Sequence, residues 1–481
     1  MSVSPLIKRI VHFETLGCRL NQDESEGAAH CFLNHNFSVS MESLTSKSQV
    51  SEETFLCVVN TCTVTGKAEQ KARRVIRLCL EKCPYAFVIV TGCYAQRSSF
   101  EIKSICPEKI LTVPGTKKHI LSLIAAYFEK KEITFDSLKN FIDECIADKN
   151  SDLSKNHFVL YTPHFEKHSR ASIKIQDGCN NSCSFCAIHF ARGKSISLDV
   201  KTVTERVKEI EDSGVNEIVF TGVNLSQYKG LAEENIYHDF ARLLEHLLKN
   251  TKHVYFRISS FYPQYVTKEL CDVIKNERVQ PFFHLSVQSG SNEILKNMNR
   301  PYTREDVLNA VKLLRTARPE IFISCDIIAG FPGESEKDFE DTKDLCLKAD
   351  FSFVHAFPFS PRKGTAAYSM KNQVADEVKT KRNAWLNDFA FNAKCRYISS
   401  FVGKTFNAIT ELSRSLRNKT PLLAKDKYII HCVTSNYIHC EFVSSSPIVQ
   451  GSLVRVKILS VKEDSIRSGS ETEAMAELVL S

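Results

Sequence analysis

The sequence contains no stretch of eighteen consecutive apolar residues, which excludes an ordinary membrane-spanning helix. Its opening, Met1 to Glu14, carries Lys8, Arg9 and His12 and no apolar run, so nothing there reads as a secretory signal. A regular disulfide frame is also missing. The eighteen cysteines are scattered through 481 residues, which fits a reducing compartment and thiolate chemistry better than a secreted scaffold. A cytoplasmic protein with no membrane partner is therefore expected. What is present is the composition of a soluble globular protein, 43% hydrophobic and 25% charged, at a length that suggests about three domains.

The net charge of +7 is unevenly placed. Residues 398–462 hold nine Lys/Arg against three Asp/Glu, so nearly all the excess lies in one stretch. A localised basic module points to a polyanion partner, nucleic acid foremost.

The densest chemistry lies at Cys179-Asn-Asn-Ser-Cys183-Ser-Phe-Cys186, three thiols in one short loop. A closed structural zinc site takes four protein ligands, whereas a cubane iron–sulfur cluster held by three thiolates leaves one iron open. The preceding run, residues 171–178, alternates β-branched residues and ends at Gly178, so a strand delivers the loop. Arg192-Gly193-Lys194-Ser195 ends like a phosphate-binding loop, but Ile188 stands where its first glycine must be, which excludes one.

Three further cysteines, Cys18, Cys62 and Cys93, each follow an apolar strand-like run (9–16, 55–60 and 86–91) and precede a helical stretch. In a parallel sheet such turns share one edge, so the thiols either converge as a second metal site or serve as small residues in tight turns. Cys57, Cys79, Cys83 and Cys106 lack comparable spacing and read as core or surface thiols. The helix after Cys62 carries Lys67, Lys71, Arg73, Arg74 and Arg77, a run that reads first as a solvated face and second as a holder of RNA phosphates.

Apolar runs at 171–175, 216–220, 254–258, 283–287, 321–328 and 353–357 alternate with amphipathic segments, which predicts a partial parallel (βα)6 barrel. After a helical connector at 371–397, short strand-like runs at 401–409, 428–434, 437–443 and 453–461 predict a small β-barrel. The fold class is thus α/β, organised as residues 1–150, a linker at 151–168, a core at 169–370, the connector, a barrel at 398–462 and a frayed tail at 463–481.

The Cys179/Cys183/Cys186 loop resembles the CxxxCxxC signature of the radical S-adenosylmethionine (SAM) superfamily. The phrases Thr-Leu-Gly-Cys-Arg-Leu-Asn-Gln (15–22), Asn-Thr-Cys-Thr-Val-Thr (60–65) and Thr-Gly-Cys-Tyr-Ala-Gln (91–96) resemble the three cysteine motifs of the radical-SAM methylthiotransferases. The resemblance implies two [4Fe–4S] clusters, one on Cys179, Cys183 and Cys186 that binds SAM and one on Cys18, Cys62 and Cys93. It also implies a tRNA anticodon stem-loop as substrate, a reductant such as flavodoxin or ferredoxin, a sulfur donor, and a C-terminal barrel like the TRAM domain. By position, Gln288 and Ala329-Gly330 are expected to contact SAM. The leading phrases are most similar to the subfamily acting on N6-threonylcarbamoyladenosine. The branches acting on N6-isopentenyladenosine or on a ribosomal-protein aspartate stay as alternatives, and so does a non-catalytic Fe–S or zinc RNA-binding protein. His189 and Ala366 depart from the family pattern, where proline is usual, and His189 reads as a packing residue. Phe406, Tyr428 and Tyr437 are placed to stack on bases, although packing is the more common role of such residues.

Overall fold

The computed structural model describes residues 9–63, 65–148, 157–163, 168–411 and 428–479. The chain divides into two compact units. The first comprises Met1–Thr162, Lys174–Leu198 and Arg362–Thr365; the second holds Pro163–Ile173, Asp199–Pro361 and Ala366–Ser481. All six candidate cysteines therefore fall in the first unit.

That unit is built on a five-stranded parallel sheet. Its strands are β1 (Ile10–Thr15), β2 (Ser38–Ser40), β3 (Thr54–Thr61), β4 (Phe87–Gly92) and β5 (Ile110–Thr112), in the order β2-β1-β3-β4-β5. The central strand β3 is buried on both faces, which is why it reads as a continuous apolar run rather than an alternating one. Helices α1 (Arg19–Asn34), α2 (Gly66–Lys82), α3 (Cys93–Arg97), α4 (Ser99–Lys103), α5 (Ile120–Phe128) and α6 (Phe135–Ala147) complete it. The Thr65 hydroxyl caps α2 by accepting from Ala68 N, satisfying one of the amides that a helix start leaves free. The inserted segment adds a short antiparallel pairing of 176–177 with 196–197 and helix α7 (Ile188–Arg192).

In the second unit, β6 (Ala171–Lys174), β7 (Glu217–Thr221) and β8 (Tyr255–Ile258) form one sheet, with Lys174 counted in the first unit. Strands β9 (Phe282–Gln288), β10 (Phe322–Ala329) and β11 (Phe353–Pro358) form the next, preceded by a short strand at 260–261. Six principal parallel strands with helices between them make the partial barrel expected from the sequence. The residues of β9 and β10 that face the helices, Phe283, Leu285, Val287, Ile323, Cys325 and Ile327, are at most 1% exposed. Their alternates, His284, Ser286 and Asp326, are partly accessible, as a half-open barrel requires. Glu217 and Arg257 pair at 2.6 Å deep in this unit, and Gln280 donates to Glu217 at 2.9 Å.

Helix α8 (Val200–Asp212), α9 (Phe240–Asn250), α10 (Lys268–Val273), α11 (Asn292–Asn297), α12 (Arg304–Ala317) and α13 (Glu336–Ala349) flank the strands, and α14 (Asp376–Ser399) leads onward. A closed five-stranded barrel follows, made of β12 (Thr405–Glu411), β13 (Tyr428–Thr434), β14 (His439–Ser444), β15 (Leu453–Val461) and β16 (Ala474–Leu478). The expected fray after residue 462 is corrected here. Helix α15 (Glu463–Ser468) turns the chain back, and β16 fills the gap between β14 and β15. Ala474 and Ala476 are the buried residues of β16, small enough to be missed as a strand signal. Tyr437 is occupied in packing rather than left free for a base, with its ring 4.3 Å from Phe282 and 5.6 Å from Phe322.

Candidate functional site

The carboxyl ends of β1, β3 and β4 lie side by side, with Thr15 opposite Asn60 and Thr61 opposite Gly92. One step beyond those pairs come Cys62 and Cys93, and Cys18 stands at the amino end of α1. Cys62 and Cys93 are buried while Cys18 is exposed. The backbone approach is close. Gly17 has φ +110°, and a methyl there would sit 3.0 Å from Cys62 Sγ and 3.1 Å from Asn21 Nδ2. Asn21 Nδ2 donates to the carbonyls of Leu16 (2.7 Å) and Thr61 (3.1 Å), so it joins the Cys18 and Cys62 turns. Asn60 Nδ2 in turn donates to the Asn21 carbonyl at 2.9 Å. Sequence placement and structure thus agree in bringing the three turns to one edge.

The second triad is held at its base. Buried Gln176 donates through Nε2 to the carbonyls of Asp177 (2.9 Å) and Gly178 (2.7 Å) and to Ser195 Oγ (2.9 Å). Cys179 N donates to Gly193 O at 3.0 Å, and Ser195 N donates to Asn180 Oδ1 at 2.9 Å. Gly178 has φ +69°, with the Lys194 carbonyl where a side chain would start, so only glycine fits. Cys186 N closes a turn onto Cys183 O at 3.0 Å, and Ile188 N points at Cys186 Sγ, 3.4 Å away. Helix α7 then packs against α3, the helix that begins at Cys93.

A buried charge network, absent from the sequence reading, ties these parts together. Glu24 on α1 receives Lys118, Lys174 (2.7 Å) and Arg192 (2.9 Å). Asp177 receives Lys174 (2.6 Å), Arg192 (3.0 Å) and His157 (3.2 Å). Arg192 also donates to Asn21 Oδ1 at 2.8 Å, so one guanidinium touches the residue that joins two cysteine turns. Burial alone would raise the Glu24 carboxyl, but Arg192, Lys118 and Lys174 hold it far below its usual range. Burial likewise opposes the Arg192 charge, and Glu24, Asp177 and then the Cys93 and Cys18 thiols outweigh it. The one sequence signal was the pair Asn21 and Glu24, two polar residues at helical i,i+3 spacing on a face that turns out buried.

Each triad offers three sulfur donors, the chemistry that selects iron–sulfur clusters over hard cations. Among the described residues, no three His, Cys, Asp or Glu side chains already stand as a cage for a single metal ion.

In the second unit, Gln288 and Gly330 lie at the carboxyl ends of the neighbouring strands β9 and β10. Gln288 has φ +72°, a strained value for a residue with a side chain, and Gly330 has φ +74° with its N–H donating to Glu334 at 2.7 Å. Cys57, Cys79 and Cys83 are buried together in the core of the first unit, as expected for packing thiols. His189 lies 3.8 Å from the Phe190 ring, and burial pulls its pKa down.

Residues 173–346 match the radical SAM superfamily, and residues 10–113 match the uncharacterized protein family UPF0004. The chain is 37% identical to the threonylcarbamoyladenosine tRNA methylthiotransferase MtaB of Treponema pallidum (strain Nichols), over 93% of this chain and 98% of that one. It is 32% identical to the MtaB of Bacillus subtilis (strain 168), over 93% of each. It is 31% identical to the tRNA-2-methylthio-N(6)-dimethylallyladenosine synthase of Treponema pallidum (strain Nichols), over 85% of this chain and 89% of that one. Among solved structures, the radical SAM methyltransferase TsrM of Kitasatospora setae, with cobalamin and a [4Fe-4S] cluster bound, aligns with a TM-score of 0.51 at 14% identity, covering 75% of this chain and 77% of that one. That likeness speaks for the fold.

Proposed function

This chain belongs to the radical-SAM tRNA methylthiotransferases, and from that membership we propose that it inserts a methylthio group at C2 of N6-threonylcarbamoyladenosine at position 37, next to the anticodon of tRNA. The observation that carries the reading is the presence of both cysteine triads in one compact unit of a chain that matches such an enzyme over 93% of its length. When bound, two [4Fe–4S] clusters and SAM would supply the radical and sulfur-transfer chemistry and the methyl group. Cys179, Cys183 and Cys186 would hold the SAM-binding cluster, and Cys18, Cys62 and Cys93 the other. Gln176 and Gly178 fix the base of the first loop, while Asn21 and Arg192 hold the turns of the second set in place. Gln288 and Gly330 would meet SAM. A flavodoxin- or ferredoxin-type reductant and a separate sulfur donor complete the reaction in the cytoplasm. Identity and coverage both favour threonylcarbamoyladenosine over dimethylallyladenosine as substrate.

Anaerobic reconstitution tests the assignment. About eight irons per chain and 5′-deoxyadenosine from SAM and reductant are expected, whereas bound zinc without SAM cleavage would overturn it. Cys18→Ala should keep SAM cleavage and lose thiolation, and Cys183→Ala should lose both. Nucleoside mass spectrometry of tRNA from a deletion strain reads the substrate directly.

A further inference from the structure

We propose that the outward side of α2, formed by Lys67, Lys71, Arg74 and Arg77 with Phe100 beside it, is a docking face for the RNA substrate; this rests on the tRNA-modifying reading above. Helix α2 buries Ala72, Val75, Ile76 and Cys79. The four cations fall on the opposite side and are exposed, in a stripe of about 15 Å at the rise of an α-helix.

Elsewhere in this chain several helix-surface lysines have an acidic partner. Lys139 pairs with Asp143, Lys249 with Glu245 and Lys348 with Asp344, each one turn apart. On α2 none of the four stripe cations enters an ion pair among the described residues. Glu69 is turned to Arg362, and Glu81 pairs with Lys82 at 3.0 Å. Lys67 and Lys71 stand at i,i+4 with like charge, an unfavourable arrangement in the free helix that a polyanion would relieve. The stripe also begins five residues after Cys62, so a backbone lying along it is led toward that turn.

The neighbouring helix carries an open aromatic ring. Arg73 donates to Tyr94 Oη (2.8 Å) and to Glu101 (2.9 Å), which fixes α4 beside α2. Phe100, next to Glu101, is 88% exposed. Arginine with an open ring suits a single-stranded or looped nucleotide, with phosphate on the cations and a base on the ring. An acidic protein would use the charges alone.

The test uses full-length, cluster-reconstituted protein and fluorescently labelled unmodified tRNA, with binding followed across salt. Replacing all four cations by alanine should weaken binding by about tenfold or more at moderate salt and make the log K against log salt slope shallower by about 3, at roughly 0.7 per phosphate contact. Arg74→Glu alone should weaken binding, a Lys67→Arg/Lys71→Arg protein should keep it, and Phe100→Ala should weaken it with the slope unchanged. Iron content and helical circular dichroism check folding; if the fourfold variant fails them, Arg74→Glu and Phe100→Ala decide. Unchanged affinity and slope in the folded variants would overturn the proposal. So would unchanged tRNA binding together with slower cluster reduction by an acidic flavodoxin, which would assign the face to a protein. Failure of the wild type to bind tRNA would instead strike the functional reading itself.

Discussion

Glu24→Gln isolates the buried network at nearly constant shape. Glu24 is 3% exposed and faces three cations, with Asp177 as the other carboxylate in the network among the described residues. Neutralising it leaves Lys118, Lys174 and Arg192 against one negative charge. Breaking a buried pair in this way costs about 3–5 kcal/mol, because the orphaned cations keep their desolvation penalty. The first unit holds about 190 residues, a size at which each kcal/mol shifts the midpoint by about 2–4 °C, so a drop of about 6–20 °C is expected. Anaerobic thermal melts with iron quantified on the same samples measure it. Adding Lys118→Met removes the unbalanced charge and should restore at least half of the loss, since neighbours in one network are not additive. The pH profile carries an independent sign. A carboxyl depressed in the folded state stabilises fully above its unfolded value near 4.5 and loses that contribution as pH falls toward the folded value. Wild-type stability should therefore drop more steeply below pH 4.5 than that of Glu24→Gln. A variant melting within about 2 °C of wild type, the smallest shift due to one kcal/mol, with no gain from Lys118→Met, would refute the reasoning.

Gly17→Ala should strain the Cys18 turn by about 1–3 kcal/mol, given φ +110° and a methyl 3.0 Å from Cys62 Sγ; iron should fall to about half while SAM cleavage to 5′-deoxyadenosine persists. Burial pulls the His119 pKa from 6.5 to about 4, aided by Lys117 and His157. Between those values the unfolded chain takes up the proton first, so stability falls with pH by on the order of 1–3 kcal/mol. His119→Gln should flatten that part of the profile in denaturant titrations run from pH 7 to pH 4.

The fold was legible wherever one physical rule acted locally. The runs at 428–434 and 453–461 became β13 and β15 with those bounds. The cysteine turns were legible because a parallel sheet must place the ends of β1, β3 and β4 on one edge. The Glu24 network was not, since the partners of Glu24 stand 94 to 168 residues away and no periodicity links a glutamate in one helix to an arginine beside another loop. Strand β16 was hidden for the opposite reason: its buried residues are alanines in an acidic, serine-rich stretch. The α2 run was visible as charge, but that its four exposed cations share one side of the helix with no ion-pair partner among the described residues shows only in the folded chain.

The first unit is discontinuous in the chain, and this gives its assembly a clock. Glu24 precedes Arg192 by 168 residues, so at about 5–20 residues per second on a ribosome it waits roughly 8–34 s for that partner. Lys118 arrives earlier and serves as a provisional counter-charge. A nascent chain halted at residue 162 would hold the sheet's cysteine turns without the guanidinium that braces them. The charge network of the unit is therefore complete only after synthesis has run about 80 residues past β5, the last strand of its parallel sheet.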